Sequence, residues 1–273
     1  MLTQRRGRQG RLAGIVAGVP LALGLVAAAA SPAVAAPEPT LYVAIGDSYT
    51  AGQGSIPFDP ANLPCNQSPL GYPNLVDAVE GVELVANTAC AGATTAQVLA
   101  VLATATPDPT VDLVTLTLGG NDLGFSALGP ACFGPTADPA LCQALLTVTK
   151  EEADALTASL VAVYTELQRV FPEADIVVLG YPNLFSPDAH GDDFTRALLK
   201  GGDELNKAVR KAAHEAGVIY VDVRDEFRHH ELGSEDSWIG GPTDPIGFLH
   251  PTAEGYQLGY FQALVNEGVI PAA

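Results

Sequence analysis

Five short apolar runs punctuate the chain: Leu41–Ile45, Glu83–Asn87, Val111–Leu118, Ile176–Leu179 and Val218–Val221. They are rich in Val, Ile and Leu and nearly uninterrupted, as strands buried on both faces must be. Between and after them lie Thr94–Ala103, Glu151–Phe171, Thr195–Ala216 and Thr252–Glu267, where apolar residues recur at helical spacing. Pro172 stops the second of these, because it has no N–H to continue the ladder. Strand–helix alternation of this kind leaves one economical solution, a parallel sheet covered by helices on both sides. No internal repeat and no linker divides it. The Pro-rich stretches Asp59–Gly71 and Gly124–Ala140 are too long for simple connections and are expected to line a site.

The first 36 residues stand outside this alternation. Met1–Arg11 carries four arginines and no acid, Leu12–Ala30 is almost wholly apolar, and Ala33, Ala35 and Ala36 supply small residues at a cleavage point. This basic, apolar, small-residue order is that of an export signal, which makes residues 1–36 a signal peptide and 37–273 a single secreted domain. Pro20 and the glycines at 14, 18 and 24 argue against a retained membrane-spanning helix. The Arg5-Arg6 pair lacks the surroundings of a twin-arginine signal. No later stretch is apolar enough to span a bilayer.

Removing the signal makes the charge more extreme. Four of the 13 basic residues lie in it, so nine remain against 31 acidic ones, a formal −22. No Lys or Arg occurs between Leu12 and Thr149. A surface this acidic repels nucleic acid and anionic headgroups, and we read it as a solubilising exterior. Four cysteines, at 65, 90, 132 and 142, suggest two disulfides in an exported chain, with three possible pairings. Cys132 and Cys142 flank a short loop and are natural partners, which leaves Cys65 for Cys90. Neither Cys-x-x-Cys nor a Cys/His cluster is present, so no metal is expected.

In a parallel sheet, ligands gather at the carboxyl ends of the strands. Three unusual segments fall there: "IGDS" after the first strand, "NTACAGATT" after the second and "LTLGGNDLGF" after the third. Ser48 in the first could be a helix N-cap, part of an anion cradle without the lysine of a P-loop, or a nucleophile. Gly46, Gly52 and Gly54 around it would clear space for an approaching substrate. Asn121 could be a turn residue or donate its amide to an oxyanion, beside the bare N–H of Gly92 and the N–H of Ser48. A serine hydroxyl needs a base. Among the five histidines, His214 lies in an amphipathic helix and His190, His229 and His230 in polar segments. His250, in "GFLHPTAEGY", stands on a loop before the last helix and is the best candidate by elimination.

"GDSYTAG", the glycine of "ACAGATT", "GGND" and "HPTAEGY" together resemble the four blocks of the SGNH (GDSL) hydrolases, over Leu41 to about Glu267. The surroundings of Cys65 and Cys90 are similar to those of small secreted bacterial lipases and esterases of that family. The resemblance implies a three-layer, flavodoxin-like α/β/α fold and carboxylic ester hydrolysis without a cofactor. It implies Ser48 as nucleophile, His250 as general base, and Ser48, Gly92 and Asn121 as the oxyanion hole. Family members usually place an aspartate three residues before the histidine, where this chain has Gly247. We expect the Gly247 carbonyl to orient the imidazole, with Asp244 as rival, and Asp47 and Asp122 to be structural. Leu63, Leu70, Phe125, Leu128 and Phe133 in the long loops favour an apolar acyl chain on a small-molecule or lipid ester. A carbohydrate O-deacetylase and a non-catalytic binding module are the alternatives, and the chain is read as a monomer.

Overall fold

The computed structural model describes residues 38–133, 136–186 and 193–271. The export-signal reading of residues 1–36 therefore lies outside the described residues. Five strands form one sheet: β1 (Thr40–Gly46), β2 (Val82–Asn87), β3 (Leu113–Thr117), β4 (Asp175–Leu179) and β5 (Ile219–Val221). All pair in parallel in the order β2-β1-β3-β4-β5. This is the flavodoxin-like order, and its direction reverses beside β1. The central strand β3 is buried along its whole length, whereas β2 and β5 at the edges are partly exposed. The run Val111–Leu118 is apolar or threonine except for Asp112, and only Leu113–Thr117 of it pairs as strand.

The two faces of the sheet build two cores. Val43, Ile45, Val114 and Leu116 pack against α6 (Lys150–Val170) and α7 (Asp193–Ala216), with α3 (Thr95–Leu102) beside them. Tyr42, Ala44 and Leu113, the alternate residues, face α2 (Tyr72–Asp77) and the C-terminal helix. Helix α6 starts where its sequence says it should: Thr149 and Glu152 form a reciprocal capping box, with acids in the first turn and Arg169 in the last. Its Leu156, Leu160, Val163 and Leu167 form the buried stripe.

The last helix runs over 253–266 as expected, but Gly255–Phe261 within it is π-helical. Gly255 and Gly259 there lie against Phe227, close enough that a Cβ on Gly259 would stand 2.2 Å from its ring. Four helices were not legible in the periodicity: α1 (Ser48–Ala51), α2, α4 (Leu128–Cys132) and α5 (Pro139–Leu145). At four to seven residues, each is too short to display a 3.6-residue repeat. Among the described residues no helix is long and apolar enough to cross a membrane.

Candidate active site

Ser48 is the first residue of α1, directly after β1. It does not cap that helix. The cap is Asp47, in extended conformation, whose Oδ1 accepts the Tyr49 N–H at 3.0 Å. Gly46 has φ +138°, and a Cβ there would stand 2.4 Å from the Thr117 carbonyl oxygen of β3. Gly52 likewise abuts Gly71, and Gly54 abuts the His250–Pro251 segment. The three glycines thus admit neighbouring chain, not substrate as their exposure in sequence suggested.

His250 arrives on a loop tied back on itself by bridges between Ile239 and Pro251 and between Gly240 and Phe248. Leu249, at φ +62°, turns the chain so that the imidazole faces α1. Nε2 lies 2.8 Å from Ser48 Oγ, across 202 residues of sequence. Nδ1 lies 2.9 Å from the Phe248 carbonyl oxygen. A carbonyl can only accept, so Nδ1 carries the proton and the Nε2 lone pair is left for the serine hydroxyl. Desolvation pushes the imidazole pKa down to about 4, against the weaker opposing effects of the Phe248 carbonyl and the Asp244 charge. The ring is therefore neutral at neutral pH and able to take a proton.

The orienting group corrects the sequence reading by one residue. It is a main-chain carbonyl as expected, but that of Phe248, not Gly247. The Gly247 oxygen instead accepts the His250 main-chain N–H at 2.8 Å. Asp244 is not on the ring either; its Oδ1 accepts the Ile246 and Gly247 N–H groups at 3.0 and 2.8 Å and closes the turn. The left-handed Leu249 is the cause, since it folds the second preceding carbonyl, not the third, under the imidazole.

Ser48, Gly92 and Asn121 line one cavity of about 260 Å³ together with His250. Among the described residues, neither the Ser48 nor the Gly92 main-chain N–H has a protein acceptor. For Ser48 this is the ordinary condition of a first-turn amide. Asn121 Nδ2 donates to the Ala93 carbonyl at 2.9 Å, which fixes the amide against the Gly92 loop and leaves its second N–H uncommitted. Asp122 is structural, as expected: it accepts the Thr95 N–H and hydroxyl at the start of α3 and so ties the β3 loop to the β2 loop.

Behind Ser48 lies a buried polar network that the sequence did not announce. Asp47 accepts from the Thr117 hydroxyl at 2.7 Å and from the Tyr181 hydroxyl. Burial raises its pKa to about 6, opposed by those hydrogen bonds. Thr117 continues through Thr50 to Tyr72 and Thr115, all buried. Tyr49 bridges the Ser48 and His250 segments: its hydroxyl donates to the Leu249 carbonyl at 2.6 Å and its ring lies 5.0 Å from the imidazole. Alternating Thr on β3 was the only available signal, and it reads equally as ordinary strand.

Phe125 and Leu128 line the cavity, joined by Leu198 and Leu205 of α7 and by Ile246 and Phe248. Phe133 packs edge-on against Phe248, and Leu63 and Leu70 are exposed and not part of the cavity lining. Only Gly124–Ala140 of the two long loops is thus site-lining. Both disulfides pair as read, Cys65 with Cys90 and Cys132 with Cys142. His214 and His229 are exposed, but His230 stacks on Trp238 with ring centroids 3.6 Å apart. His190 lies outside the described residues. Among the described residues no group of three or more His, Cys, Asp or Glu is placed to hold a metal ion.

A hydroxyl, an imidazole and open amides at the reversal point of a 2-1-3-4-5 sheet define the SGNH type of serine hydrolase. The profile of the GDSL-like lipase/acylhydrolase family matches residues 44–258. A lipase of Streptomyces rimosus is 35% identical over 246 residues, covering 86% of this chain and 90% of that one. The crystal structure of an extracellular lipase from Streptomyces rimosus superposes with a TM-score of 0.72 at 32% identity, over 83% of this chain and 99% of the other. That of phospholipase A1 from Streptomyces albidoflavus NA297 gives 0.75 at 32% identity, over 84% and 99%. The chain belongs to the GDSL-like lipase/acylhydrolase family and is a carboxylic ester hydrolase.

Proposed function

We propose that Ser48 and His250 form a catalytic dyad that cleaves esters of apolar acyl groups through an acyl-enzyme, in a chain exported by residues 1–36. The observation that carries this is the 2.8 Å contact between Ser48 Oγ and an imidazole whose other nitrogen is held by the Phe248 carbonyl. Ser48 Oγ attacks the acyl carbonyl while Nε2 takes its proton. The carbonyl oxygen becomes an anion, received by the N–H groups of Ser48, Gly92 and Asn121 Nδ2. As the tetrahedral adduct collapses, the imidazolium returns the proton to the departing alkoxide. Water then adds to the acyl-serine with the same proton traffic, releasing the acid and restoring the hydroxyl.

Apolar acyl groups are favoured by the lining. Phe125, Leu128, Leu198, Leu205, Ile246 and Phe248 line the cavity with the dyad, and among the described residues no Lys or Arg lines it to hold an anion. The similarity to a lipase and to a phospholipase A1 supports the same class, and the relative described as extracellular, with the two disulfides here, supports export. The expected outcome is labelling by a fluorophosphonate probe that vanishes in Ser48→Ala. Hydrolysis of p-nitrophenyl esters should rise from two carbons toward medium chains. Unlabelled, well-folded protein sinks the dyad, and rates flat across chain length sink the apolar preference.

A further inference from the structure

Asp59–Gly71, the long loop that takes no part in the active-site cavity, lines a groove of its own. The groove holds about 520 Å³, twice the cavity's 260 Å³, and the two share no lining residue. Its chemistry comes from Phe58, Asp59, Asn62, Gln67, Asn74 and Asn87. Four carboxamides and one aromatic ring thus line a single depression. Among the described residues no Lys, Arg or His lines it.

Backbone contacts fix what each amide leaves open. Gln67 is only 8% exposed, and its Nε2 donates to the Asn87 and Ala89 carbonyls at 3.0 and 2.8 Å. Carbonyls only accept, so both N–H groups are used and the side-chain oxygen is the free end. That Oε1 receives no hydrogen bond from the described residues, yet it is not sealed from solvent and opens to the groove. A polar atom on so nearly buried a side chain calls for a partner. Asn87 Oδ1 accepts the Ala89 N–H at 3.1 Å, which leaves its Nδ2 as a donor. Asn74 Nδ2 donates to the Ser68 carbonyl at 3.0 Å, which leaves its Oδ1 as an acceptor. Phe58 belongs to none of the apolar clusters of the fold, and the next residue is pinned by the Asp59 N–H to the Gln67 carbonyl at 2.7 Å.

We propose that this groove is a binding site for a short uncharged oligosaccharide, separate from the active site. A pyranose offers a C–H face, which suits the negative face of the Phe58 ring. Its hydroxyls both donate and accept, which suits the Gln67 and Asn74 oxygens and the Asn87 amide nitrogen. Other ligand classes fit the lining worse. An anion would meet Asp59 and no cation, on a strongly acidic chain. A metal ion would find a single carboxylate. An alkyl chain would cover the Gln67 oxygen without pairing it. A bound glycan would tether the enzyme and leave the Ser48 cavity open, since no residue belongs to both.

The test is calorimetric titration of the parent protein with cellotetraose, xylotetraose, maltotetraose and chitotetraose, at least one of which should bind saturably. Phe58→Ala removes the ring. Asn87→Asp keeps the oxygen that accepts the Ala89 N–H and replaces only the free amide nitrogen. Each substitution should weaken the Kd of that sugar by about tenfold or more. Hydrolysis of p-nitrophenyl butyrate by both variants should stay within about twofold of the parent, because the groove and the dyad are separate. The sugar itself should not inhibit that hydrolysis. A parent that binds none of the four sugars overturns the proposal, as does binding that survives both substitutions. Competitive inhibition would place the sugar in the active site and equally overturn it. Hydrolysis lost in both variants would make these residues part of the catalytic fold instead of a separate site.

Discussion

Gly54→Ala should uncouple catalysis from folding in a way that a generic glycine substitution does not. Gly54 holds φ +100°, and a Cβ built there would stand 2.4 Å from the Pro251 carbonyl oxygen and 3.0 Å from His250 Cβ. Ordinary contact begins near 3.4 Å, so the His250–Pro251 segment must retreat by about 1 Å. That displacement acts directly on the 2.8 Å contact between Nε2 and Ser48 Oγ. A misplacement of this size typically costs ~100-fold in rate, or ~2.7 kcal/mol of barrier. The backbone itself adds roughly 1–2 kcal/mol of lost stability, because an L-residue is strained at positive φ. Gly81→Ala is the control: it has φ +82° but nothing within 4 Å of the new methyl, so it should carry the backbone penalty alone. Urea denaturation gives the stabilities, and initial rates on p-nitrophenyl butyrate give kcat and KM. The expected result is a kcat lowered ~100-fold in Gly54→Ala with KM little changed, and a parental kcat in Gly81→Ala. A parental kcat in Gly54→Ala, or equal kcat losses in both, refutes the argument that this glycine sets the dyad.

With its pKa lowered to about 4, His250 should keep kcat/KM on its plateau well below pH 6.5, with the acid limb falling near pH 4 in initial rates taken immediately after a pH jump. Asp244→Asn should move that limb lower still, since its charge raises the His250 pKa, yet cost kcat less than ~tenfold because a carbonyl holds the ring; a loss near ~10⁴-fold would return Asp244 to a catalytic place. Stability should carry two opposed contributions over the same range. The unfolded imidazole takes its proton first, so what His250 contributes is lost as pH falls from about 6.5 to 4, whereas the raised carboxyl of Asp47 contributes stability that is lost as pH rises through about 6. Asn121→Ala should lower kcat by ~10²–10³-fold with little change in KM, the pattern of a donor used at the transition state. Equal losses in 1/KM would make Asn121 a ground-state contact only.

The five strands, the three long helices and the loops that follow β1, β2 and β3 were all legible in the chain, because cover on both faces of the central strands leaves a nearly unbroken aliphatic signature that the partly exposed edge strands β2 and β5 share in weaker form. Ser48, Gly92 and Asn121 could be named because they sit in those loops, at the one edge where such a sheet opens. His250 could be named by discarding four other histidines, and by the resemblance of "HPTAEGY" to the last block of its family. What was out of reach depended on directions in space. The imidazole rests on the Phe248 carbonyl and not on its neighbour because a single left-handed residue, Leu249, turns the chain. Nothing in the sequence singles out Tyr49 or Tyr181, yet one braces the His250 loop and the other holds the buried carboxyl beside Ser48. Leu198 and Leu205 belong to the apolar stripe of α7, and nothing in that stripe says that part of it faces a cavity.

Periodicity and strand-end chemistry, both local properties of the chain, were therefore sufficient for the layers of the fold and for the kind of groups at its rim. Distances between segments two hundred residues apart were not, because they depend on which backbones touch. The bare Cα of Gly54, the turn at Leu249 and the Tyr49 strut bring hydroxyl and imidazole within hydrogen-bond reach, and only packing in three dimensions decides that.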